Sequence, residues 1–304
     1  MISKQPYRVK SISEYHQLRG LTKPEHPLIS VINYTDIIQS PENNTISWVH
    51  DFYFIALKKN INAKIRYGQQ DYDFDEGVMF FIAPGQVFKI EVTKVSSDRS
   101  GWFLLVHPDF FWNFPLAISI RKYEYFGYSV HEALFLSPKE EDIISRLMQD
   151  IQREYLANID TFSQQIIVSH IEVLLNYADR FYHRQFITRR IANNQILTQV
   201  ETLLNAYFDK SAVEKGLPTV QDLAGQLNIS PDYLSTLLKI TTGQNTQQHI
   251  HDKLIERAKQ RLSTTSLSVS QIAYELGFEH SQSFSKLFKT KTRLSPLEFR
   301  KSIN

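Results

Sequence analysis

Apolar positions change their spacing along this 304-residue chain, and the change divides it. Up to about residue 110 they fall in short runs rich in Ile, Val, Phe and Tyr, at 28–34, 52–57, 63–67, 78–82, 86–92 and 102–107, which predict strands. Turn signals part several of them: Pro41-Glu-Asn-Asn, Lys58-Lys-Asn-Ile-Asn, and Pro84-Gly85, which suits a type II turn. Regular short strands predict a barrel or sandwich. From Pro138 the period becomes helical. Ile143, Ile144, Leu147, Met148 and Ile151 share one face. A second helix, 161–182, presents Phe162, Ile166, Ile167, His170, Ile171, Leu174, Leu175, Ala178 and Phe181, more than one stripe. One stripe would cover the sheet and the surplus a second copy, so a homodimer is expected through 137–182, with His170 a packed interior residue. The polar stretch 183–194, with Arg184, Arg189 and Arg190, reads as a linker.

The last ~85 residues repeat themselves. Val220-Gln-Asp-Leu223-Ala224-Gly-Gln-Leu227-Asn228-Ile229 recurs as Val269-Ser-Gln-Ile272-Ala273-Tyr-Glu-Leu276-Gly277-Phe278, with every apolar position displaced by 49. After one inserted residue the offset is 50, pairing Leu234 with Phe284, Leu237 with Leu287, Leu238 with Phe288 and Lys239 with Lys289. Val220, Leu223, Ala224 and Leu227 form one face of a short helix. Thr219 is placed to cap it, and Ser268 or Ser270 to cap its counterpart. Asn228 and Gly277 are residue types that tolerate left-handed backbone, which a tight turn between crossing helices needs. Ser230-Pro231 then supplies an N-cap and a proline at N1 for the next helix. These are two helix-turn-helix units, close enough to read neighbouring sites on one linear partner.

The outward positions of the two second helices are read as Asp232, Ser235, Thr236 and Lys239, and as Ser281, Gln282, Ser283, Ser285, Lys286 and Lys289. Short hydroxyls, an amide and lysines suit base edges and phosphates. Between the units, 246–262 reads as one helix with a stripe at Ile250, Leu254, Ile255, Ala258 and Leu262. It is a rod of roughly 25 Å. Two reading helices on it would sit about one DNA turn, roughly 34 Å, apart.

These residues carry a family resemblance. Leu223-Ala224…Leu227…Ser230-Pro231-x-Tyr233-Leu234-Ser235…Lys239…Thr242-Gly243 resembles the first motif of the AraC/XylS-type transcriptional regulators. Ile272-Ala273…Gly277-Phe278…Phe284-Ser285-Lys286-x-Phe288-Lys289…Leu294-Ser295-Pro296…Phe299-Arg300 is similar to their second. The resemblance covers about 193–304. It implies a seven-helix DNA-binding domain, with Tyr233 among the contact residues. The chain departs from the family pattern in three places: Arg293 stands where Gly is usual, Lys286 where Arg is usual, and the pair Gln282-Ser283 where Ser-Tyr is usual. A lysine binds phosphate as a point charge rather than forking onto guanine.

The expected organisation is multidomain. The resemblance implies a cupin-like β-barrel at 1–136 that senses a small molecule, and Gly77…Pro84-Gly85-Gln86 weakly resembles a cupin motif. Amphipathic helices at 137–182, a linker at 183–194 and an all-α domain at 195–304, two helix-turn-helix units joined by a linker helix, complete it. Promoter DNA is the expected partner, with a small-molecule effector, a second copy and RNA polymerase as further candidates.

The net charge of +2 conceals a split. From 183 to 304 there are 16 Lys and Arg against 10 Asp and Glu, a balance of +6, which leaves −4 for 1–182. A basic C-terminal part fits a nucleic-acid partner. The chain has no Cys, which excludes disulfides and thiolate metal sites. There is no signal-like N-terminus and no run of ~20 apolar residues, so a cytoplasmic protein is expected. Of ten His, two (His50 and His107) lie in or beside strand runs, and His249-x-His251 points apart on a helix, so no metal or other cofactor is expected. No convergent acid–base set is visible, so no enzyme is expected; an enzymatic or ligand-binding barrel with a helical interaction module is the alternative. The aromatics at Trp102-Phe103, Phe110-Phe111-Trp112-x-Phe114 and Tyr123-x-Tyr125-Phe126-x-Tyr128 are read as a seam between sheet and helices rather than as a ligand pocket.

Overall fold

The computed structural model describes residues 6–37, 47–59, 65–67, 70–72, 77–88, 100–129, 132–157, 160–188 and 190–303. The chain divides into two compact units, Met1–Thr188 and Arg189–Asn304.

Unit 1 runs β1 (Tyr7–Val9), α1 (Ile12–Leu18), β2 (Ile29–Asn33), β3 (Trp48–His50), β4 (Tyr53–Lys59), β5 (Ile65–Tyr67), β6 (Gln70–Tyr72), β7 (Gly77–Ile82), β8 (Val87–Phe88), β9 (Ser100–Val106), α2 (Leu116–Ser119), β10 (Leu134–Leu136), α3 (Pro138–Leu156) and α4 (Ser163–Thr188). An antiparallel sheet has the order β10-β7-β4-β9-β2, a smaller one the order β1-β3-β8, and β5 pairs with β6. Period-2 alternation gives the large sheet two apolar faces. Phe54 and Ala56 of β4, Val78, Phe80 and Ile82 of β7, and Phe103 and Leu105 of β9 face a core shared with Val9, Trp48 and Phe88 of the smaller sheet and Ile12 and Tyr15 of α1. Among the described residues these strands do not close into a barrel.

The other face carries the aromatic seam. Phe81 lies 4.5 Å from the Tyr125 ring, which stacks on Tyr182 of α4 at 5.3 Å, and the Tyr125 hydroxyl donates to Leu175 O at 2.8 Å. Two of the expected seam aromatics depart from it: Phe103 faces the core on the opposite side of the sheet, and Trp112 is exposed. The Pro84-Gly85 turn forms as expected, with Gly85 at φ 79° and Gln86 N–H donating to Ala83 O.

The structure differs from the sequence reading at several places. Lys58 and Lys59, read as part of a turn, are the last residues of β4, kept in register with Gly101 and Ser100 of β9. β1, β3 and β10 are three residues each, too short for a periodic signal. Residues 63, 64 and 89–92 of expected strands, the expected turn at 41–44 and residues 60–62 of the next lie outside the described residues. Of the expected linker 183–194, residues 190–194 are the start of α5 and 183–188 the last turns of α4. There Gln185 Oε1 accepts from Phe135 N–H at 2.8 Å and Arg184 pairs with Glu140 at 2.6 Å. His170 is half-buried rather than interior.

Unit 2 is all-helical: α5 (Arg190–Lys210), α6 (Ala212–Lys215), α7 (Val220–Leu227), α8 (Pro231–Thr242), α9 (Thr246–Thr264), α10 (Val269–Glu275), α11 (Ser281–Thr292) and α12 (Pro296–Ile303). The single turn α6 raises the implied seven helices to eight. The expected stripe of α9 (Ile250, Leu254, Ile255, Ala258, Leu262) is buried throughout, and most of it shares a core with Ile272, Ala273, Phe284 and Phe288 of the second repeat.

Candidate nucleic-acid interface

Each repeat opens on a reciprocal cap. Thr219 Oγ1 accepts from Asp222 N–H at 3.1 Å, and Thr219 N–H donates to Asp222 Oδ2 at 3.0 Å. The Thr219 hydroxyl also donates to Asp222 Oδ2 at 2.6 Å, and that bond first, with the one from Thr219 N–H second, keeps the Asp222 carboxyl below its ordinary pKa. Ser268 and Gln271 reproduce the arrangement at 3.2 and 2.8 Å, so Ser268 is the cap and Ser270 is not.

The turns are also the same device. Asn228 has φ 55° and ψ 39°, and Gly277 has φ 90°. Ile229 N–H reaches back to Ala224 O at 3.0 Å, and Phe278 N–H to Ala273 O at 3.0 Å. These are the long bonds of a Schellman closure, which places the residue after the turn against the small alanine. That is why Ile229 and Phe278 repeat along with Ala224 and Ala273.

The second helices differ more than the first. Ser230 Oγ caps α8 by accepting from Tyr233 N–H at 3.2 Å, with Pro231 at N1. His280 stands at the N-cap of α11 without a side-chain cap bond. On α8, Asp232 and Lys239 are exposed and Ser235 is half-buried, its hydroxyl 3.1 Å from Thr246 Oγ1. Thr236 and Tyr233 are buried, at 8% and 2% exposure, and Thr236 Oγ1 donates to Asp232 O. Thr236 therefore does not take the outward position expected for it. On α11, Gln282, Ser283, Lys286 and Lys289 are exposed, with Ser281 and Ser285 half-buried. Among the described residues Lys239, Lys286 and Lys289 form no salt bridge. The second helix thus offers the broader polar face, and it carries Lys286, Lys289 and Lys291 with no acidic residue. After α11, Arg293 adopts φ 64° and ψ 0° and donates its N–H to Lys289 O at 2.8 Å, so the turn keeps a left-handed cap without glycine.

Sequence reasoning missed a bridge through α9. Asp252 Oδ2 accepts from Gln244 Nε2, just beyond α8, at 2.8 Å, and its Oδ1 accepts from Lys291 Nζ, in the last turn of α11, at 2.8 Å. Partial burial raises the Asp252 carboxyl, but the bonds from Lys291 and Gln244 outweigh it and leave the pKa below its ordinary value. No local pattern announces contacts so far apart in the chain.

Two helix-turn-helix units on one connecting helix define unit 2 as a double helix-turn-helix domain. A family model described as a helix-turn-helix domain matches residues 223–302. The chain is 44% identical over 85 residues to the raffinose operon transcriptional regulatory protein RafR of Pediococcus pentosaceus, across 28% of this chain and 31% of that protein. It is 30% identical over 107 residues to the Msm operon regulatory protein of Streptococcus mutans, across 35% and 36%. It is 25% identical over 271 residues to the uncharacterized HTH-type transcriptional regulator YfiF of Bacillus subtilis, across 84% and 79%. The matched segment spans about a third of the length of the first two of these curated relatives. Unit 2 belongs to the AraC-type helix-turn-helix domains. No helix among the described residues is long and apolar enough to cross a membrane.

Proposed function

We propose that the protein is a sequence-specific transcription regulator that lays α8 and α11 into adjacent major grooves of promoter DNA, acts as a homodimer, and takes its signal from a small molecule bound by unit 1, a relative of the cupin-like sensor domains. The observation that carries the DNA-reading part is the duplication of cap, turn and second helix on one connecting helix. The 19 residues of α9 give a rod of roughly 28 Å, close to the ~34 Å between successive major-groove faces. Within the interface, Asp232, Ser235, Gln282 and Ser283 are suited to base edges, and Lys239, Lys286 and Lys289 to phosphates.

Selection of bound sites from random DNA by the full chain tests this. A bipartite site with halves about 10 base pairs apart is expected. Lys289→Ala should weaken all sequences several-fold and lower the salt slope by about one, whereas Gln282→Ala should change the preferred bases. Recovery of no enriched sequence would overturn the assignment.

A further inference from the structure

The interior of unit 1 contains a charge that no described residue neutralises. Alternation along β4 sends Lys58 to the same side as Phe54 and Ala56, into the shared core, and Lys59 to the opposite side. Lys59 pairs with Glu141 at 2.7 Å. Lys58, only 9% exposed, has no carboxylate within salt-bridge distance among the described residues. Its ammonium sits instead among rings, 5.2 Å from Tyr34, 5.4 Å from Phe80 and 5.8 Å from Phe103. Cation–π contacts offset part of the desolvation of a buried ammonium, and an anion would offset far more.

Two further basic groups bear on it, His50 in the interior and the partly exposed Arg19. His50 is 1% exposed, ringed by Tyr15, Phe52, Phe54 and Phe88, and among the described residues neither of its ring nitrogens has a hydrogen-bond partner. Burial first, and the Arg19 charge second, hold its pKa down to about 3, so the ring is neutral and keeps one N–H to donate. The Arg19 guanidinium lies 5.4 Å from the Tyr15 ring and 5.1 Å from Trp48, and its charge acts on both His50 and Lys58. Among the described acids, Asp51 pairs with Arg8 at 2.8 Å and Glu14 accepts from the Lys10 N–H at 2.8 Å.

From this juxtaposition we infer that unit 1 binds a small molecule bearing a carboxylate on an apolar or aromatic body, with the Lys58 ammonium as anchor. The inference rests on the reading of unit 1 as a sensor and specifies what it senses. The surrounding rings favour an apolar body, and a monoanion is favoured over a phosphate because a dianion loses more hydration on entering such a site.

Isothermal titration of the full chain with octanoate and 3-phenylpropionate, beside their neutral amides, tests it. One acid per chain should bind at least ten times more tightly than its amide. Lys58→Met should remove the preference, while Lys59→Met keeps it. A readout that needs no variant is pH. Burial, then Arg19, bring the Lys58 pKa to about 8, so acid binding should weaken as pH rises from 7 to 9 and amide binding should not. Failure of both acids to bind, equal binding of acid and amide, or a Lys58→Met protein that keeps the acid preference would each overturn the site. DNA affinity measured with and without octanoate is a separate readout: binding without any change in DNA affinity leaves the site standing and refutes the sensor reading.

Discussion

Gly277 and Asn228 occupy the same place in the two repeats, yet the structure makes them non-interchangeable. Both are left-handed, and asparagine is among the residues that accept that conformation most readily. The difference lies in the surroundings. A Cβ on Gly277 would meet the Gly216 carbonyl carbon and oxygen at 2.6 Å and Ala212 O at 2.9 Å, all backbone atoms. Gly277→Asn should therefore cost at least about 2 kcal/mol, and Asn228→Gly under about 1 kcal/mol. Urea unfolding of the two variants checks this; equal midpoints would refute the packing argument. The turn residue itself was legible, because a helix-turn-helix turn restricts the residue type locally. Its intolerance was not, because it depends on Gly216, far upstream. Thr236 shows the converse: a polar residue on a reading helix, expected outward, satisfies its hydroxyl on the backbone of Asp232 and stays buried.

Elements of unit 2 were readable because α7, α8 and α10 each carry their own punctuation: a cap, an apolar stripe and a left-handed residue at the stop. The strands of unit 1 were readable only where the run was long, and the sandwich of two sheets depends on three-residue strands that leave no periodic trace. Lys58 was obscured for a related reason, since a Lys-Lys-Asn segment resembles a turn until cross-strand pairing with β9 extends β4 through it. What no element shows alone is how the two reading helices are spaced. Asp252 joins the end of each through α9, and this gives a prediction separable from stability. The carboxylate is about half exposed, so Asp252→Ala should cost under about 1 kcal/mol of folding free energy. Loss of the bridge should instead broaden the tolerance for half-site spacing. Against operators lengthened or shortened by one base pair, the wild type should lose more affinity than Asp252→Ala does. If both proteins show the same spacing profile, Asp252 is a surface ion pair and nothing more.

At the scale of the whole molecule, the surplus of apolar positions in α4 decides the expected assembly. Ile167, Ile171, Leu174, Leu175, Ala178 and Phe181 are buried within unit 1. A second stripe remains outside: Phe162 at 64%, Ile166 at 40% and Val173 at 42% exposure, with His170 and Tyr177 half-buried along the same line. These positions follow helical spacing, so they form one continuous face rather than scattered surface residues. In a two-fold dimer the face would meet its own copy, and each substitution would count twice. Ile166→Asp with Val173→Asp should therefore raise the dimer dissociation constant by at least about a hundredfold, because carboxylates would be buried unpaired. Light scattering of the full chain at micromolar concentration, without DNA, should give twice the 35.5 kDa chain mass for the wild type and the single mass for the variant. A wild-type monomer would remove the dimer, and the stripe would then belong to some other contact. A variant that stays dimeric would move the interface off α4. The DNA side gives an independent measure, since a basic surplus of only six charges in 183–304 makes two linked copies the economical route to tight binding. The monomeric variant should keep its preference for a single bipartite site but lose the added affinity of a duplicated one.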